Sequence, residues 1–395
     1  MSTAPVLLGI TWEHERGYGS ITAAAERWTE LTGVEVRFEA RSLQAFADAS
    51  LTEITAGRDL VVLDHPHIPL AAEAGVLTAL DGTGHDAELA ELARRSVGGS
   101  HASYTHAGHQ WALAHDAAAQ VAAWRPDLLD RPPRTWPEAL ELAEEGRVLW
   151  PAKPIDAFSS LLTLACGAED SPPFGPATFL DPEVARDVLA TLHRLAAAVP
   201  TECLALNPIE VAERLVAGDR YAYAPLLFGY TNYSREGYRR HRLAYTDAPA
   251  GPRGLAGSLL GGAGIAVCAG SSAPAAAIDF AVWVAGAEAQ RGVYFDGGGQ
   301  PGHASAWEDD RLNALTLDFF RSTRATLEGA WTRPRVAGFV AFQDEVSPLV
   351  TACLRGDLDD AALLAALDDA TRRHLRPQDT ARGDLGTRER ADAHA

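Results

Sequence analysis

The chain has 395 residues, 47% hydrophobic and 22% charged, which is the composition of a soluble globular protein and too long for one ordinary core. Its 53 acidic against 34 basic side chains leave a formal net charge of -19. That balance argues against nucleic acid and against an anionic membrane surface, because both require an excess of Lys and Arg. No apolar stretch reaches the roughly 18 residues of a membrane-spanning helix, so no membrane insertion is expected.

The predicted elements alternate from the start. Val6 to Ile10 is a short apolar run, as in a strand buried on both faces. Ile21, Ala24, Ala25, Trp28 and Leu31 recur on one face of a helix that Gly33 ends. Val34 to Phe38 alternates as a strand, Leu43 to Thr55 reads as a helix, and Leu60 to Leu63 is a third strand stopped by Asp64-His65-Pro66. This order predicts a parallel, doubly wound sheet, whose ligands sit beyond the carboxyl ends of strands. The loops Thr11 to Tyr18, Ala40 to Leu43 and Asp64 to His67 are therefore the first candidate surface.

Trp111 to Trp124 reads as two strands leaving this region. A Pro-rich loop follows, and Thr135 is placed to cap a helix from Pro137. Arg147 to Trp150 reads as a strand. Helices are expected at Ile155 to Cys166, Pro182 to Ala198 and Pro208 to Ala217, and Tyr221 to Ala224 begins another strand. After the Gly-rich Gly251 to Gly264, Ile265 to Cys268 is a buried strand. Helices around Ala273 to Phe295, Asp309 to Glu328, Arg335 to Arg355 and Leu358 to Leu375 precede a polar tail expected to fray.

These phrases, in this order, resemble the solute-binding proteins of carbohydrate-type ABC transporters. The residues that carry the resemblance are Trp28 to Val34, Asp59 to Asp64, Ala74 to Asp81, Trp111 to Leu113, Trp124 to Leu129, Pro132 to Glu138 and Gly261 to Val267. The resemblance implies an α/β, periplasmic-binding-protein-like (type II) fold: two doubly wound lobes with a hinge and an inter-lobe cleft. The first lobe is expected over 1–123 with a return at 258–308, and the second over 124–257. The helices of 309–375 would pack mainly on the second lobe, and 376–395 is the tail.

Candidate ligand contacts of the first lobe are Trp12, for stacking, with His14, and Arg41, for a carboxylate or phosphate. Asp64 with His65 or His67 can form a carboxylate-oriented imidazole, a candidate for acid–base catalysis. Each also has a bland reading, in which Asp64 caps the helix after it and the histidines bond their own loop. His115 and Asp116 are placed near the cleft by the resemblance. The second lobe offers Trp150, Lys153, Phe228, Tyr230, Asn232 and Tyr233, and Gly261-Gly262 would let backbone N–H groups approach a ligand. Lys153, the only lysine, is read as following a strand and able to pair with an anion.

No dinucleotide, P-loop, nucleophile-elbow or zinc-protease motif occurs, and the four cysteines form no C-x-x-C pair, so no cofactor and no metal are expected. The first reading is a binding module that closes on a small, partly polar or anionic ligand. The alternative is an enzyme of this fold acting on a small biosynthetic intermediate. Met1 to Leu8 lacks a signal-peptide pattern. The expected compartment is therefore the cytoplasm, with an extracellular location, and an ABC permease as partner, if a leader has been removed.

Overall fold

The computed structural model describes residues 5–42, 50–167, 173–175, 178–250 and 257–376. The expected helix before Ser50, part of the Gly-rich segment and the tail beyond Arg376 lie outside them. The chain divides into two compact units. The first holds residues 1–118, 230–232 and 261–314, and the second holds 119–229, 233–260 and 315–395.

In the first unit, β1 (Val6–Trp12) pairs in parallel with β2 (Glu35–Arg41) and with β3 (Leu60–Leu63). The helix Ser20–Thr32 links β1 to β2 and ends at Gly33, which adopts φ 75°. Such a left-handed C-cap favours glycine, which has no Cβ to clash. Successive residues of a strand point to opposite faces, and both faces here are covered. Leu60 and Val62 join one core with Leu7, Phe38, Ile265 and Phe280, while Val61 and Leu63 join another with Ile10, Ile68 and Ala266.

A two-stranded hairpin, β4 (Thr105–His106) and β5 (His109–Gln110), carries His106 and His109. The two strands expected within 111–124 form a single strand, β6 (Ala112–Trp124), of 13 residues. Twelve of the thirteen are buried. Alanines make this possible, because they let neighbouring elements close over the strand from both sides.

In the second unit, β7 (Tyr223–Phe228) and β8 (Ala244–Thr246) each pair antiparallel with β6. The helix Trp136–Glu144 starts on a capping box, with Thr135 accepting from the Glu138 N–H and Glu138 reaching back. The expected strand at Arg147 to Trp150 does not form among these residues. Val148 makes one isolated bridge to Tyr223, and the chain enters the helix Pro154–Cys166 with Lys153 as its N-cap residue. Phe158, Phe174, Phe179 and Phe342 pack ring to ring, tying that helix to Phe339–Arg355.

The chain re-enters the first unit at β9 (Leu260–Val267), antiparallel to β3. Its glycines have steric reasons. A Cβ on Gly262 would lie 2.5 Å from the Asp116 carbonyl oxygen, and one on Gly264 would lie 2.5 Å from the Tyr104 ring.

Candidate functional site

The carboxyl end of β1 runs into a tight turn of π-helical form over Glu15–Gly19. His14 starts it, its Nδ1 accepting from the Arg16 N–H at 3.0 Å. The Glu13 N–H donates to the Arg41 carbonyl at 2.7 Å, which ties the turn to the end of β2. Gly17 lies on the Trp12 ring so closely that a Cβ there would overlap it. Trp12 is thus 9% exposed and part of the core instead of a free stacking platform.

The turn delivers Arg16 into the interior, where it is 4% exposed. Its Nε donates to Asp116 Oδ2 at 2.8 Å and its Nη2 to Oδ1 at 2.5 Å, a bidentate pair with a carboxylate that is 1% exposed. Burial alone would lower the Arg16 pKa, but the charge and hydrogen bond of Asp116 outweigh it and hold the guanidinium protonated. Burial raises the Asp116 carboxyl against the opposing pull of Arg16, and the charge of Asp64 adds to the rise.

Tyr230 belongs to the first unit, although the sequence places it in the second. Its neighbours Thr231 and Asn232 fix it there: the Thr231 N–H donates to Gln300 Oε1 at 3.0 Å and Asn232 Nδ2 to the Gly298 carbonyl at 3.1 Å. The Arg16 guanidinium lies 4.5 Å from the centre of the Tyr230 ring, and His14 meets that ring edge-on at 4.9 Å. His14 and Tyr230 are both half-buried.

The other predicted residues of the first unit differ in burial. His115 is fully buried, edge-on to Tyr294 at 5.5 Å. Burial, helped by the Arg16 charge, pushes it down to about 3, so it is neutral at physiological pH. Asp64 is half-buried and heads the turn His65–His67 without a side-chain cap bond, so the capping reading does not hold. His65 is fully buried and packs edge-on to Tyr104, while His67 is half-buried. The segment His65–His67 is a 3-10 turn. Arg41 is half-buried at the end of β2. Gly261 is half-buried in β9, and Gly262 uses its missing Cβ and its φ of 109° to admit the β6 backbone.

On the second unit, Trp150 is fully buried and donates to Ser160 Oγ at 3.1 Å, and Tyr233 is buried with its hydroxyl on Glu213 at 2.8 Å. Lys153 and Phe228 are half-buried. Asp156, in the first turn of the helix that Lys153 opens, is 5% exposed. Burial raises its carboxyl to about 8 despite the nearby Lys153.

Sequence reasoning missed Arg16 and Asp156. The charged run Trp12 to Tyr18 held a signal for the first. Asp156 reads as an ordinary acidic residue of a first helical turn.

A model of the bacterial extracellular solute-binding protein family matches residues 23–316. Among solved structures, MalE3 of T. maritima with maltose bound matches with a TM-score of 0.79 at 16% identity, over 94% of this chain and 100% of that one. The GacH receptor of Streptomyces glaucescens, solved unliganded and with acarbose and an acarbose homologue, matches with 0.77 at 18% identity, over 94% and 98%. An ABC transporter solute-binding protein from Agrobacterium radiobacter, in complex with ribitol, matches with 0.75 at 21%, over 93% and 98%. No curated protein sequence matches the chain. At these identities the structures speak for the fold, which is that of the type II periplasmic binding proteins. Neither the cytoplasmic expectation nor the enzyme alternative draws support from them. With the family model covering residues 23–316 and the fold matched over more than nine-tenths of its length, the chain belongs to the bacterial extracellular solute-binding protein family.

Proposed function

We propose that the chain is the solute receptor of an ABC transporter, and that it takes a small, neutral, polyhydroxylated ligand at the strand-end edge of its first unit. The observation that carries this reading is the Arg16–Asp116 pair beneath Tyr230 and His14. The pair cancels its own charge, so the edge offers an anion little attraction. Tyr230 and His14, both half-buried, offer a ring for stacking on a sugar face and an imidazole for hydrogen bonds. The ligands named for the structural neighbours, maltose and ribitol, are of this class. Lys153 and Phe228 are the second unit's candidates for ligand contact, and an ABC permease is the partner.

Of the acid–base candidates, His65 is fully buried, whereas Asp64 and His67 are half-buried.

Calorimetric titration of the full chain with maltose, ribitol and succinate tests the reading. A neutral ligand should bind, and Tyr230→Ala should weaken it about tenfold or more, the effect of a lost aromatic contact of roughly 1.5 kcal/mol. Binding of succinate alone, or an affinity unmoved by Tyr230→Ala, would overturn it.

A further inference from the structure

Three residues far apart in the sequence meet at one point on the second unit. His193 stands in the helix Pro182–Ala198, Cys353 in the last turn of Phe339–Arg355, and Asp360 at the start of Asp360–His374. His193 Nε2 lies 2.8 Å from Asp360 Oδ1. Cys353 Sγ lies 3.2 Å from the same oxygen and 3.9 Å from the same nitrogen. The three donor atoms all fall within 4.8 Å of one another. Gly356, at φ 82°, ends the first C-terminal helix and turns the chain so that Asp360 returns beside Cys353.

The geometry separates two readings of a Cys, a His and an Asp in contact. In a nucleophilic triad the carboxylate holds the ring nitrogen remote from the nucleophile. Here thiol and carboxylate converge on the same Nε2, the arrangement of donors around a common centre. Bond lengths of about 2.3 Å to sulfur and about 2.0–2.2 Å to nitrogen and oxygen put donor atoms of a tetrahedral zinc site roughly 3.2–3.7 Å apart. The observed separations of 2.8, 3.2 and 3.9 Å bracket that spacing.

The surroundings suit a cation that arrives from solvent. Cys353 is 1% exposed, whereas the side chains of His193 and Asp360 are 37% and 51% exposed. Asp359, whose carboxylate accepts from the Ala362 N–H, adds negative charge that acts on the thiol. No spacing signal marks this set in the sequence, because 160 residues separate His193 from Cys353.

We propose that His193, Cys353 and Asp360 form a binding site for a zinc-class divalent cation, which clamps the helix Pro182–Ala198 to the turn between the last two helices. Without metal, the Cys353 thiol donates a hydrogen bond to the Asp360 carboxylate. Burial first, and then that hydrogen bond, push the thiol up to about 12. On binding, the thiol proton passes to solvent. Thiolate, carboxylate oxygen and imidazole nitrogen each give a lone pair to the cation, and the fourth position is left to water.

The test uses the full chain, metal-stripped and free of any polyhistidine tag, titrated with cobalt(II) as an optical stand-in for zinc. The expected result is a one-to-one rise of tetrahedral d–d bands with a thiolate-to-cobalt charge-transfer band, both erased by zinc, and a zinc-dependent rise in melting temperature. Cys353→Ser should abolish the charge-transfer band, and Cys203→Ser should leave it intact. Asp360→Asn and His193→Gln, at partly exposed positions, should each weaken cobalt binding by at least about tenfold while circular dichroism stays native. No bands in the parent chain, or a charge-transfer band that survives Cys353→Ser, would overturn the proposal. If Cys353→Ser fails to fold, unchanged bands in both Asp360→Asn and His193→Gln would do the same.

Discussion

Replacing Asp116 with Asn removes the charge that keeps Arg16 in the first unit's interior while preserving side-chain size. Both residues are at most 4% exposed, so water cannot take over the lost partner. Breaking a buried pair by removing one member costs about 3–5 kcal/mol, because the other charge is left uncompensated. The Asn oxygen can still accept one of the two hydrogen bonds, which places the expected loss near the lower end, about 3 kcal/mol. The Tyr230 ring 4.5 Å from the guanidinium is present before and after, so it offsets nothing. Replacing both charges, Arg16→Met with Asp116→Leu, should recover most of the loss, since an apolar pair carries no desolvation penalty. The assay is urea-dependent hydrogen exchange of first-unit peptides, because a chain of two compact units need not unfold in one transition. A loss under about 1 kcal/mol for Asp116→Asn, or single changes that add within about 0.5 kcal/mol in the double variant, would show that the pair is solvated and the reasoning wrong.

Asp156 carries a folded-state value of about 8, above its ordinary 3.8, so the folded chain holds an extra proton between those limits and loses stability as pH rises through them. Asp156→Asn should therefore change little near pH 4 and gain about 2–4 kcal/mol near pH 9. Urea denaturation of the second unit at both pH values checks it, and an equal gain at both would contradict the assignment. Gly262→Ala should destabilise the first unit by about 2 kcal/mol or more, since its Cβ meets the Asp116 carbonyl oxygen at 2.5 Å and its φ is 109°. A variant exchanging first-unit amides at the parent rate would show that β6 and β9 part more easily than their packing implies.

The local code of this chain was legible. Apolar runs named β1 and β3, the period of Ile21, Ala24, Ala25 and Trp28 named the first long helix, and Thr135 named a helix start. The order of phrases was enough to reach the family and its fold, because backbone preference and hydrophobic period are properties of neighbouring residues. The site was not legible in that way. The charged run Trp12 to Tyr18 marks the loop but does not say that Arg16 is buried, since its partner Asp116 lies 100 positions away and only the return of β6 brings the two together. Tyr230 sits next to residues of the second unit in sequence, yet hydrogen bonds to Gly298 and Gln300 draw its segment into the first. Lys153 reads as a residue after a strand. The strand did not form, because one bridge to Tyr223 is all the pairing available there. Sequence by itself determined the strands β1 and β3, helices such as Pro182–Ala198 and Pro208–Ala217, and which family they compose, but not the β4–β5 hairpin or the unformed strand at Arg147 to Trp150. Tertiary structure decided which charges are neutralised, because burial and pairing depend on segments that the chain brings together only when it folds.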